Sequence, residues 1–146
     1  MMSRRLLQFF VGLNALIAVY KGGAFLLFGI EGVPIVARVE LSIPIDAIDE
    51  PTRGVLDTWY RALGWVWLSV GLMLAWILPS VERSTAWFRF IHIAFLCVGI
   101  GRLASVLEYG VTRHNPLWAI AIEIVVPLAF IAWQSRVASS ALEPAR

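Results

Sequence analysis

The sequence has little charge and almost no thiol. Only 15% of its 146 residues are Asp, Glu, Lys or Arg, against ~25% in a soluble domain. It has one cysteine, Cys97, so no internal disulfide can form and a thiol–disulfide redox enzyme is excluded. Cys97 is expected to be a small packing residue. The two histidines, His92 and His114, are far apart, and no Cys or Asp clusters with them, so the pattern of a metal site is missing. No motif calls for a cofactor. Basic runs are also absent. The net charge is +2, and the pI of about 9.1 comes from scattered arginines, so nucleic-acid binding has no support.

What is present is apolar. Hydrophobic residues make up 60% of the chain and the mean hydropathy is +0.79. The apolar residues fall into long blocks, which predicts an integral membrane protein. Four spans are expected, at about residues 6–30, 57–78, 87–109 and 117–133. The first is too long for a signal core, contains Lys21 and lacks an Ala-x-Ala site, so it is read as a retained helix. Residues 31–56 hold Pro34, Pro44 and Pro51 among acidic residues. Three prolines argue against one continuous helix, which predicts a long outer loop, non-helical or mixed. Gly110–Asn115 is expected to be a short turn closed by Pro116, and Gln134–Arg146 a polar tail. The fold class predicted is all-α, an integral membrane four-helix bundle in a single domain, 1–146.

Arginine placement sets the expected orientation. Arg4, Arg5, Arg83, Arg89, Arg136 and Arg146 fall on one side, Arg38, Arg53 and Arg113 on the other. Both termini are then cytoplasmic and the protein lies in the cell inner membrane. Trp59, Tyr60, Trp76, Trp87, Tyr109, Trp118 and Trp133 stand near span ends, as an aromatic belt would.

Charges inside the spans are the candidate site, because an ionised group in hydrocarbon costs ~2.5–3.5 kcal/mol on insertion scales. At ~1.5 Å per residue, Lys21 and Arg102 each lie ~22 Å in from the cytoplasmic face. Arg61 and Glu123 lie ~6 and ~9 Å from the outer face. All four share a level in a hydrocarbon core ~30 Å thick, with Glu108 just above. Helical periodicity places Phe95, Gly99, Arg102, Ser105, Val106 and Tyr109 on one face. It places Glu123, Pro127, Phe130 and Gln134 on another, Asn14, Ala18, Lys21 and Phe25 on a third, and Arg61, Gly64, Leu68 and Gly71 on a fourth. Arg102 takes Glu123 as its favoured partner, with Arg61 and Lys21 competing for that charge. Such a cluster can be a structural network, an anion-receiving pocket or a proton-coupled site centred on Glu123. His92, at another depth, is expected to be a packed core residue, and His114 a solvated one.

Tyr60-Arg61-Ala62-Leu63-Gly64, then Gly99-Ile100-Gly101-Arg102-Leu103-Ala104-Ser105, Gly110, Pro116 and Glu123, carry a family resemblance. The chain resembles the small bacterial four-helix membrane proteins grouped as domain of unknown function 4345, similar in architecture to the DoxX-like group. The resemblance runs from about Leu6 to Ala132. It implies Arg61, Arg102 and Glu123 as signature polar positions and brings no established activity. Two features depart from the pattern: the long proline-rich first loop, and Arg113-His114-Asn115 between Gly110 and Pro116.

The function expected is that of a non-catalytic inner-membrane protein. It would bind a membrane protein partner or an amphipathic small molecule through a polar pocket in the outer half of the bilayer. The alternative is a membrane enzyme acting on a lipid- or sterol-like substrate with Glu123 as proton carrier. Four spans without a repeat disfavour a transporter.

Overall fold

The structure is a computed structural model and describes residues 2–37, 45–111 and 117–142. Five α-helices form it: α1 Met2–Phe28, α2 Gly32–Ala37, α3 Glu50–Ile77, α4 Thr85–Tyr109 and α5 Leu117–Leu142. Short 3₁₀ turns occupy Gly29–Glu31, Ile45–Ala47 and Leu78–Ser80. There is no strand among the described residues. Four helical segments are long and apolar enough to cross a membrane: Ser3–Val36, Glu50–Ser80, Thr85–Tyr109 and Leu117–Ala141.

The helix boundaries correct the sequence reading in two places. Helix α3 begins at Glu50, inside the expected loop, with Pro51 in its first turn. Proline lacks only an N–H that a helix start leaves unpaired, so it suits this position. Pro34 sits likewise in the first turn of α2. Helix α5 runs on to Leu142, where a polar tail was expected after Trp133. Its serines bond back into the helix: the hydroxyls of Ser135, Ser139 and Ser140 donate to the carbonyls of Ile131, Ser135 and Arg136. Those side chains therefore reinforce the polar end and do not compete with it. Pro44 and the turn expected to close at Pro116, with His114 in it, lie outside the described residues.

Asp49 caps α3. Its Oδ2 accepts the Thr52 amide at 3.1 Å, and its carbonyl accepts the first intrahelical bond from Arg53, 2.9 Å. The Thr52 amide holds the Asp49 carboxyl below the usual aspartate range. The cap is therefore fully present above the ordinary aspartate pKa and is lost as pH falls through the lower folded value. We expect the Thr52 amide resonance to titrate with a midpoint below the usual aspartate range; a midpoint at the ordinary value would remove Asp49 as the cap. At the other end of the chain's polar turns, Gly110 closes α4 with φ 82° and donates its amide to the Val106 carbonyl at 2.9 Å, a glycine-type stop.

The chain divides into two compact units. One is Val11–Trp76 and the other is the chain up to Phe10 together with everything from Ile77. In the Val11–Trp76 unit, α1 and α3 run antiparallel and meet at glycines. A Cβ at Gly22 would stand 2.5 Å from the Leu68 nitrogen, one at Gly64 2.8 Å from the Leu26 nitrogen, and one at Gly71 2.8 Å from the Val19 nitrogen. The two backbones touch at all three places, which is how helices pack closely in lipid.

In the other unit α4 and α5 form an antiparallel hairpin. Ile120, Pro127, Phe130, Gln134 and Val137 make a buried stripe on α5, against Phe88, Ile91, His92 and Gly99 on α4. The His92 ring stacks on Phe88 with centroids 4.1 Å apart and lies 5.2 Å from Phe130. Phe10, in the third turn of α1, reaches Phe130 and Trp133. Cys97 is exposed on α4 and is not a packing residue. Most of the large side chains on the outer faces are apolar, with Leu107 80% and Leu27 72% exposed. Such surfaces need hydrocarbon around them.

Candidate functional site

The hairpin of α4 and α5 brings Arg102 and Glu123 together. Arg102 Nη1 lies 3.0 Å from Glu123 Oε1. The close approach is made possible one turn earlier by Gly99, where a Cβ would come within 3.1 Å of the Glu123 backbone and Cβ. A side chain there would hold α4 off α5 at the level where the charges meet. The Arg102 side chain is 40% exposed and the Glu123 side chain 30%. Only one carboxylate oxygen is used. Glu123 Oε2 is shut off from solvent and has no hydrogen-bond partner among the described residues. In an apolar surrounding an unsatisfied acceptor is costly, so its presence calls for an explanation. Ser105 stands one turn beyond Arg102 and is half-buried, whereas Glu108 is exposed.

Arg61 belongs to a different arrangement, built where α1 ends. Gly29 adopts φ 57°, and a Cβ there would overlap Asp57 Oδ1. The glycine lets the chain turn tightly over α3, which presents Asp57 to it. Asp57 Oδ1 accepts the Ile30 amide at 3.2 Å. Asp57 Oδ2 accepts Arg61 Nε at 2.7 Å, one helical turn along α3. Arg61 Nη1 in turn donates to the Leu26 carbonyl at 2.7 Å. One ion pair thereby satisfies an orphan amide and an orphan carbonyl at the end of α1. Arg53 adds a contact to Glu31 at 2.6 Å. Arg61 is thus committed to Asp57 and Leu26, correcting the expectation that it competes for Glu123. Lys21 Nζ sits 4.8 Å from the Trp67 ring centroid, a cation–π contact.

Asp57 and Gln134 were not selected as site residues from the sequence. Asp57-x-x-x-Arg61 is a legible i,i+4 pair, but a span starting at Asp57 put it at the boundary. Gln134 is fully buried; its amide nitrogen donates to the Val81 carbonyl at 3.0 Å and to Thr85 Oγ1 at 2.9 Å. It clamps the turn before α4 to α5. His92 is 2% exposed and donates Nδ1–H to the Phe88 carbonyl at 2.8 Å, the packed role expected of it. Among the described residues no three His, Cys, Asp or Glu side chains are grouped as a metal site requires.

Among the described residues, four helices long and apolar enough to cross a membrane are consistent with a multi-pass membrane protein. The chain belongs to the family described as domain of unknown function (DUF4345), whose model matches residues 6–134. No curated protein and no solved structure matches it.

Proposed function

We propose that this chain is a non-catalytic binding protein of the inner membrane, with both termini cytoplasmic, and that the Arg102–Glu123 pair is its ligand-contacting element. The bound species is an amphipathic small molecule whose head group offers an acceptor to Arg102 and a hydroxyl donor to Glu123. One observation carries this reading: the ion pair is only partly buried, with the Arg102 side chain 40% and the Glu123 side chain 30% exposed, and Glu123 Oε2 has no hydrogen-bond partner among the described residues. Arginine and carboxylate that serve only each other favour a two-bond fork. A partly exposed pair leaves N–H donors of Arg102 within reach of a ligand. The orientation rests on the excess of arginine at Arg4, Arg5, Arg83, Arg89 and Arg136.

The test is native mass spectrometry of gently extracted protein. The wild type is expected to carry a bound small molecule that Arg102→Ala and Glu123→Gln both lose. Identical bound species in all three proteins would refute the site. For the orientation, tags on either terminus should stay protected from protease in intact spheroplasts, and cleavage of both would reverse it.

A further inference from the structure

A second site lies at the arginine-rich end of the α4–α5 unit. The first turn of α1 and the last turns of α5 border a half-open cavity of about 270 Å³, lined by Ser3, Arg4, Arg136, Val137, Ser140 and Ala141. Its walls are held in place from several directions. Trp133 Nε1 donates to Ser3 Oγ at 2.8 Å, and Gln8 Nε2 donates to the Leu78 carbonyl at 3.0 Å. Arg4 Nε bonds Glu82 at 3.0 Å and Arg4 Nη2 bonds the Pro79 carbonyl at 3.0 Å.

The donors are unevenly spent. Glu82 is already engaged by Arg4, whose Nη1 makes no bond among the described residues. Arg136 pairs with no carboxylate among them either. Its carbonyl accepts Ser140 Oγ, which fixes that hydroxyl on the cavity wall. Two guanidiniums therefore border one small space; Arg4 is balanced by Glu82, and Arg136 has no carboxylate partner among the described residues. Val137 and Ala141 supply an apolar side. Ser3 and Ala141 are also end residues of two segments long and apolar enough to cross a membrane.

We infer that this cavity, lined by Arg4, Arg136, Ser3 and Ser140, receives the phosphate of an anionic phospholipid head group. Guanidinium groups match phosphate oxygens with paired N–H donors. Basic pockets between membrane helices on the positively charged side select such head groups. The apolar wall favours a phosphodiester joined to a glycerol over free phosphate. This site is independent of the Arg102–Glu123 reading and stands or falls separately.

The full chain is placed in nanodiscs of phosphatidylcholine alone or mixed with phosphatidylglycerol, and retained lipid is counted by native mass spectrometry. Phosphatidylglycerol should be retained preferentially. R136Q should weaken its retention about fivefold, the weight of one basic residue at an anionic surface. R136K, which keeps the charge but not the fork, should fall between. R53Q removes an arginine paired with Glu31 in the other unit and should change nothing. Equal retention of both lipids, or equal loss in R136Q and R53Q, would overturn the site. Displacement of phosphatidylglycerol by inorganic phosphate at millimolar level would overturn the lipid as its ligand.

Discussion

A methyl group at Gly22 is expected to destabilise the protein by about 1–3 kcal/mol, the usual range for overpacking. The same change at the adjacent Gly23 is expected to be neutral or to stabilise by up to about 1 kcal/mol, since alanine is the better helix former. The two residues are neighbours on one helix with opposite surroundings. At Gly22 the new carbon would meet backbone: the Leu68 nitrogen at 2.5 Å, its Cα at 2.8 Å and the Gly64 carbonyl at 2.9 Å. Backbone cannot swing away as a flexible side chain can, so α1 and α3 must separate. At Gly23 nothing lies within 4 Å. Gly64→Ala and Gly71→Ala should behave like Gly22→Ala, because two of the three nearest atoms at each are also main-chain atoms. Thermal melting in detergent reads the difference. Equal melting temperatures for Gly22→Ala and Gly23→Ala would mean that the helix pair does not depend on this contact.

Removing either member of the Arg102–Glu123 pair is expected to destabilise the α4–α5 hairpin by about 2–3 kcal/mol, somewhat below the ~3–5 kcal/mol seen when fully buried pairs are broken. The half-exposure of both groups is the reason for the lower figure. Each single change leaves a charge in a surrounding of low dielectric with no partner. Replacing both, Arg102→Met with Glu123→Leu, should restore most of the loss, because apolar side chains of similar bulk need no partner there. Unfolding of the four proteins in detergent micelles forms a double-mutant cycle. Additive single losses would show that the two side chains do not act as a pair. This cycle measures stability alone, so it separates the role of the pair in the fold from ligand contact.

Much of the fold was legible because hydropathy accumulates along the chain. A block of eighteen or more apolar residues declares a span wherever it occurs, and the four spans follow. Their ends were less legible. Pro51 was read as a helix breaker, yet it lies in the first turn of α3, where a missing N–H does no harm. Gln134, Ser135, Ser139 and Ser140 were read as a polar tail, yet each hydroxyl or amide finds a carbonyl or hydroxyl within reach. The boundary bears on the partner of Arg61. With α3 starting at Asp57, that carboxylate stands at the surface and Arg61 is left to compete with Arg102 for Glu123. With α3 starting at Glu50, Asp57 lies two turns in, one turn from Arg61.

The Arg102–Glu123 contact was legible because two helices joined by a short connection pair residues at equal distance from it. Depth counted from the turn is therefore a usable coordinate. That coordinate carries no information about rotation within a pair of helices, which is why Tyr109 was placed on the packed face and is 74% exposed.

By itself the amino-acid sequence determined that this protein is helical, that it belongs in a bilayer, and that a few charges inside it must be paired. Those properties are sums over neighbouring residues and need no knowledge of what comes near from elsewhere. Tertiary structure alone decided that Glu123 keeps one oxygen without a hydrogen bond among the described residues, that Gly22, Gly64 and Gly71 sit against backbone while Gly23 and Gly101 face open space, and that Arg136 and Arg4 border one cavity. Each of these depends on distances between segments far apart in the chain, and a difference of one ångström separates a contact from a gap.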